Sequence, residues 1–266
     1  MTDLGMNDGR TIPAIGFGSY LVPPADAERV TRDAVAAGYR LADTAAFYAN
    51  EAGVAAGIAE HEVFLTTKLW RTDLGYDAAL RGFEASLAQL GLDSIDLYLI
   101  HWPVPSADLY AETWKAFVRL REEGRAKSIG VSNFEPDHIR RIADATGVMP
   151  ALNQIELHPA FQQRELRAFH AQHGIITQSW APLGQGELLA APAIVAVAEK
   201  HGASPAQAIL AWHRQHGLVT IPKASSPGRL AENLASLELV LDAEDMAAID
   251  ALDSAEGRRG PDPATF

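Results

Sequence analysis

Eight short runs rich in Val, Ile, Leu and Tyr recur along the chain, at 15–19, 39–43, 63–68, 95–101, 126–131, 151–156, 175–180 and 218–222, each followed by a longer amphipathic stretch. Helix start signals open several of those stretches: Pro24 with Asp26, Asp77, Asp108, and Pro136 with Asp137. Strand alternating with helix implies right-handed crossovers and a parallel sheet, since a parallel neighbour is reached only through a long connection. Two architectures satisfy this order, an open doubly wound sheet and a closed (β/α)8 TIM barrel, and eight runs in 266 residues favour the barrel. The segment 3–12 contains an Asn7-Asp-Gly9 turn and reads as a β-hairpin that closes the barrel floor. No Ser/Gly linker, repeat array or charge block divides the chain. Residues 1–266 are therefore expected to form one domain with a short C-terminal tail from about Glu256.

Composition excludes whole classes of function. Lys plus Arg number 22 against 34 Asp plus Glu, a net charge of -12, so the average surface repels nucleic acid and anionic lipid. An anionic ligand must then be held by a local group of cations or backbone N–H donors. The absence of Cys removes disulfides, thiolate metal sites and thiol nucleophiles together. The stretch 1–10 lacks the basic-then-apolar order of an export signal, and the apolar run 188–198 falls short of the ~20 residues that span a bilayer. A cytoplasmic monomer with no membrane role and no metal is expected.

In a parallel barrel, chemistry collects where strands end, and three neighbouring run ends here carry unusual residues. The second ends in Asp43, with Tyr48 just beyond; the third ends in Lys68-Leu-Trp70; the fourth ends in His101-Trp102-Pro103. Each alone has a bland explanation, as a helix cap, a core aromatic or a satisfied polar residue. Together they form a proton-transfer set. A phenol is a weak acid at neutral pH, an adjacent ammonium favours its phenolate, a carboxylate holds that ammonium charged, and a histidine orients or donates to a substrate oxygen. Competing motifs are incomplete. Gly16-Phe-Gly18 and Gly184-Gln-Gly186 begin like a dinucleotide fingerprint, but Leu21 and Leu189 replace its third glycine. Gly130-Val-Ser132-Asn-Phe134 lacks the closing glycine of a nucleophile elbow. The pairs His170/His173 and His213/His216 read as solvated helix faces instead of metal ligands.

The segments Gly38-Tyr-Arg-Leu-Ala-Asp43-Thr-Ala-Ala-Phe-Tyr48-Ala-Asn50-Glu51, Thr66-Thr-Lys68-Leu-Trp70 and Asp96-Leu-Tyr-Leu-Ile-His101-Trp-Pro103 resemble the aldo-keto reductase superfamily. The likeness continues through Lys127-Ser-Ile-Gly-Val-Ser132-Asn133-Phe134, Asn153-Gln154-Ile-Glu-Leu-His158-Pro159 and Ile221-Pro-Lys223, and spans most of the chain. Trp180-Ala-Pro-Leu-Gly184-Gln-Gly186 looks most like the bacterial 2,5-diketo-D-gluconate reductase branch. The resemblance implies NADPH-dependent reduction of aldehydes and ketones, with NADH as a possible substitute. It implies Tyr48 as general acid, Lys68 and Asp43 as its supporting pair, and His101 as the residue that orients the substrate. It further implies that Ser132, Asn133 and Gln154 bind the nicotinamide carboxamide, that Trp180 stacks on the ring, and that the loop carrying Leu183, Gly184, Gln185 and Gly186 covers the pyrophosphate. Lys223, Arg229, Glu232 and Asn233 fall at the adenosine end. Leu41 stands where the family often has His, and Ala224 where Ser is frequent, which removes a hydroxyl beside a 2′-phosphate. Tyr20, Trp70 and Trp102 are expected to form an aromatic collar for the substrate. The tail after Gly260 is brief, so small activated carbonyls, dicarbonyls and keto sugars are expected substrates. A redox sensor with little turnover and a Schiff-base aldolase using Lys68 remain as rivals.

Overall fold

The computed structural model describes residues 3–266; Met1 and Thr2, part of the N-terminal stretch read above, lie outside the described residues. An antiparallel hairpin of β1 (Asp3–Gly5) and β2 (Thr11–Pro13) precedes eight parallel strands. These are β3 (Phe17–Gly18), β4 (Leu41–Asp43), β5 (Phe64–Leu69), β6 (Ile95–Ile100), β7 (Ala126–Ser132), β8 (Leu152–Glu156), β9 (Ile176–Trp180) and β10 (Val219–Thr220). Each strand lies within a residue or two of one apolar run, and the sheet order follows the chain order. The sheet closes between its first and last strands: Ile15 bridges Thr220, Gly16 N–H donates to Thr220 C=O at 2.7 Å, and Gly18 N–H donates to Pro222 C=O at 3.3 Å. A Cβ on Gly18 would sit 2.5 Å from Ile221 C=O. Gly18 thus permits the close approach at the seam, while a Cβ on Gly16 would meet the Leu41 side chain at 2.5 Å; the two glycines serve packing, which accounts for their partial resemblance to a nucleotide loop. The fold is the expected (β/α)8 barrel.

Helices α1 (Pro24–Ala37), α2 (Glu51–Ile58), α3 (Tyr76–Leu90), α4 (Tyr110–Glu122), α5 (Pro136–Thr146) and α6 (Arg164–Gln172) follow successive strands. After β9 come α7 (Pro192–Lys200) and α8 (Pro205–Gln215), and after β10 come α9 (Pro227–Ala235) and α10 (Ala243–Asp250). Their ends follow local chemistry. In α5 the Glu135 side chain and His138 form a reciprocal capping box, Pro136 opens the first turn, and Gly147 closes the helix at φ 73°. The hairpin seals the floor: Met6 and Ile12 are buried against Leu97, Leu99, Leu152 and Val219, and Asn7 Nδ2 donates to Pro150 C=O at 3.0 Å. No helix among the described residues is long and apolar enough to cross a membrane.

The expectation of solvated histidine faces is corrected for two of the four. His170 and His213 are wholly buried. His170 bonds Thr177 Oγ1 at 2.9 Å and Asn153 Nδ2 at 3.0 Å, and His213 bonds Ser179 Oγ at 3.2 Å and Pro182 C=O at 3.1 Å. The outer faces of β8 and β9 carry polar residues that need partners away from water, and a neutral imidazole from α6 or α8 satisfies them. Burial pushes both histidines down to about 3. His173 and His216 are half-buried.

Candidate active site

Asp43 ends β4, Lys68 lies near the end of β5, and His101 follows β6, so three adjacent strands deliver them to one rim. Tyr48 closes a short 3-10 turn, Ala46–Tyr48, directly after β4. Asn50 holds that turn in place. It is buried, its Nδ2 donates to Ser19 C=O at 3.0 Å and Val22 C=O at 3.1 Å, and its Oδ1 accepts from Thr44 Oγ1 at 2.7 Å. Nothing local in the sequence marks Asn50 for this role, because its backbone partners Ser19 and Val22 lie 31 and 28 residues earlier, just after β3.

Lys68 is fully buried, and its ammonium has three partners: Asp43 Oδ1 at 2.5 Å, Thr44 C=O at 2.9 Å and the Tyr48 hydroxyl at 3.5 Å. Asp43 Oδ2 accepts from Gln154 Nε2 at 2.8 Å, and the same nitrogen lies 2.6 Å from Gln178 Oε1. Burial pushes Lys68 down and Asp43 up, and each is opposed by its partner's charge. Burial is the first cause, and the Asp43 charge the second, that raise the Tyr48 phenol well above its ordinary value. This departs from the expectation that Lys68 would lower it. Lys68 is engaged most closely by Asp43, and an unpaired phenolate in a buried position is costly. Burial, then the Lys68 charge, hold His101 well below its usual range, so its imidazole is neutral at pH 7. Its Nδ1 is buried without a partner among the described residues.

Ser132, Asn133 and Trp180 converge beside this cluster. Asn133, at φ 62°, donates from Nδ2 to His101 C=O and Ser132 Oγ, both at 3.0 Å, while its Oδ1 accepts from Trp180 Nε1 at 2.8 Å. The indole edge is thereby tied to the strand that carries His101. Leu183 precedes three successive residues with positive φ, Gly184 (57°), Gln185 (56°) and Gly186 (94°), a loop whose backbone turns sharply. Gly184 N–H and Gly186 N–H donate to Ala181 and Leu183 carbonyls in this structure.

At the far end, Lys223 and Arg229 are exposed, and neither lies within ion-pair distance of a carboxylate among the described residues. Helix α9 begins beside them at Pro227, and no side chain caps its N-terminus. Free N–H groups and two unpaired cations on a chain of charge -12 suit a phosphate. Asn233 is buried within hydrogen-bonding reach of the Tyr39 hydroxyl, and Glu232 is half-buried on the same helix.

The aromatic collar is larger than the sequence reading described. The Tyr20 ring lies 5.1 Å from Tyr48, and Trp70 meets His101 edge-on at 5.1 Å. Phe47, exposed, stacks on Trp70 at 4.0 Å. Trp102 is buried beneath Phe266, with centroids 4.3 Å apart, and Arg71 lies over the Phe266 ring at 4.6 Å. The tail thus contributes a wall through Phe266, a residue absent from the expected set.

Comparison with known proteins identifies the family. The aldo/keto reductase family model matches residues 14–254. An aldo-keto reductase of Mycobacterium sp. (strain JLS) is 53% identical over 268 residues, covering 99% of this chain and 97% of that protein. The methylglyoxal reductase DkgA of Salmonella typhimurium is 43% identical over 272 residues, covering 100% of this chain and 98% of its own. Among solved structures, a Gox0644 variant in complex with NADPH superposes with a TM-score of 0.98 at 53% identity, over 100% of this chain and 98% of that one. The chain belongs to the aldo/keto reductase family.

Proposed function

We propose that this chain reduces small activated aldehydes and ketones with NADPH, with Tyr48 as the proton donor. The single observation that carries the assignment is the buried Lys68 ammonium joining Asp43, Thr44 and the Tyr48 hydroxyl at one point on the rim. The residues fit the cofactor: Trp180 and Asn133 for the nicotinamide, with Ser132 and Gln154 beside them, residues 183–186 for the pyrophosphate, and Lys223 and Arg229 with the α9 N-terminus for a 2′-phosphate. The solved relative that binds NADPH supports the same choice. The chemistry NADPH supplies when bound is hydride donation to a carbonyl carbon.

The protein's part is electrostatic and positional. Tyr48, held protonated by burial, keeps its O–H across the neutral range and donates to the carbonyl oxygen as charge develops there. Lys68, 3.5 Å away, offsets the negative charge left on the phenol oxygen, and Asp43 keeps that lysine in place. Neutral His101 orients the oxygen by a hydrogen bond, with its backbone pinned between Leu69 and Asn133. The aromatic walls shed water from the reacting oxygen. A Schiff-base role for Lys68 has little support, because all three of its donors are engaged.

The mouth favours compact substrates: Tyr20, Phe47 and Trp70 line an open rim, with Phe266 of the tail against Trp102. The test is the rate of NADPH oxidation with methylglyoxal, a nitrobenzaldehyde, a keto sugar and a 3-ketosteroid under one set of conditions. The small compounds are expected to have the higher kcat/KM. A preferred steroid would overturn the substrate class, and no turnover with any carbonyl would overturn the function.

A further inference from the structure

The C-terminal tail is tied to the barrel by one buried carboxylate that the chemistry above does not use. Glu156, the last residue of β8, is 2% exposed. Its Oε1 accepts from the Arg259 backbone N–H at 2.7 Å, its Oε2 accepts from the Gly260 N–H at 2.9 Å, and His158 Nε2 lies 3.3 Å from Oε1. Gly260 passes so close to the Trp180 indole that a Cβ there would be 2.4 Å from Cη2. The Arg259 side chain pairs with Glu187 in the loop after β9, and seven residues on Phe266 rests against Trp102. One strand of tail therefore touches the ring proposed to stack on nicotinamide, the loop proposed to cover the pyrophosphate, and the substrate wall.

We propose that Glu156 is a positioning residue: by holding the Arg259 and Gly260 amides it fixes the tail across the barrel mouth, and through it sets the Trp180 indole and the 183–187 loop for cofactor binding. A carboxylate suits this task because two convergent backbone N–H groups need two acceptor oxygens in a dry site, where charge-assisted bonds are strongest. An amide side chain offers one oxygen and turns an NH2 toward a donor. The Trp180 indole is then held from two sides, by Asn133 at its Nε1 edge and by Gly260 at its six-membered ring. The inference rests on the NADPH reading, but part of its test does not.

Two variants separate the latch from the chemistry. Glu156→Gln changes the tie's acceptor itself; Gly260→Ala keeps the carboxylate but sets a Cβ 2.4 Å from the indole and 3.0 Å from Glu156 Oε2, which pushes the tail off Trp180. In the ligand-free chain, amide hydrogen exchange of Arg259 and Gly260 should be at least about tenfold faster in Glu156→Gln than in the wild type. NADPH affinity, titrated by quenching of tryptophan fluorescence, should weaken at least about fivefold in both variants, with KM for NADPH moving more than kcat and the pH profile of kcat keeping its shape. Unchanged exchange in Glu156→Gln would overturn the latch. Faster exchange with unchanged NADPH affinity would overturn its link to the cofactor. Should Glu156→Gln lose its cooperative melting transition, Gly260→Ala decides: wild-type NADPH affinity there overturns the proposal. A wild type that does not bind NADPH at all would overturn the functional reading, while the exchange measurement still judges the tie.

Discussion

The two ends of the proposed cofactor groove are built on opposite principles. At the reacting end Asp43 and Lys68 are at most 1% exposed, and each polar atom of the pair meets a partner inside the protein. At the proposed adenosine end Lys223 and Arg229 stand in water without a carboxylate in reach among the described residues, beside a helix N-terminus with no side-chain cap. A charge in a dry, pre-arranged site acts strongly on a neighbouring proton, whereas an exposed cation is screened and contributes little until a ligand desolvates it. In the proposed function, catalysis therefore depends on the first cluster as a unit, and cofactor preference on the second as nearly independent contacts.

Breaking the buried cluster should give the largest effect. Lys68→Met leaves Asp43 with an unpaired buried charge, so stability should fall by about 3–5 kcal/mol, and reduction by at least ~10²-fold. The double variant Asp43→Asn/Lys68→Met removes both charges, and most of that stability should return while turnover does not. Denaturant melts with parallel kinetics check this. Recovery of both together would mean that the pair serves the fold alone.

Arg229→Ala probes the other end. Losing one charge-assisted contact to a phosphate should weaken NADPH binding about tenfold and leave NADH nearly unaffected. The NADPH preference should also shrink as salt rises, since the cation is exposed. Fluorescence titrations with both cofactors give the ratio. Equal wild-type affinities would show that Ala224, where a hydroxyl is frequent in the family, has opened the site to either cofactor.

The prediction furthest from the chemistry lies outside both ends, in the histidines that join α6 and α8 to the sheet. His170 and His213 titrate at about 3 when folded and near 6.5 when unfolded, so between those values the unfolded chain binds more protons. Their contribution is fully present above about pH 6.5 and is lost as pH falls toward about 3, at roughly 1.4 kcal/mol per pH unit for each. Unfolding free energies between about pH 7 and pH 5 measure the slope. Half the slope would mean that one of the two is charged in the folded chain, and a flat profile that both are.

Much of this molecule was legible in sequence because its signals are local. Each barrel strand is an apolar run between turn residues, and Asp43, Lys68 and His101 announce themselves by standing at run ends. What stayed hidden depends on partners far along the chain. Asn50 became meaningful only with Ser19 and Val22, and Glu156 only with Arg259 and Gly260, more than 100 residues on. Phe266 has no periodic pattern around it, and its contact with Trp102 lies six residues beyond the tie at Gly260. His170 and His213 sit at helical spacing from His173 and His216, and periodicity alone does not tell which pair member turns inward.

The central claim is that the Tyr48 hydroxyl supplies the proton while the rest of the rim keeps the cofactor in place. Tyr48→Phe keeps the ring, its 5.1 Å approach to Tyr20 and its 5.7 Å approach to His101, and removes only the O–H. NADPH affinity should stay within about twofold of wild type, while kcat for a small aldehyde falls at least ~10²-fold. Wild-type turnover in Tyr48→Phe would contradict the account, because another group would then be delivering the proton.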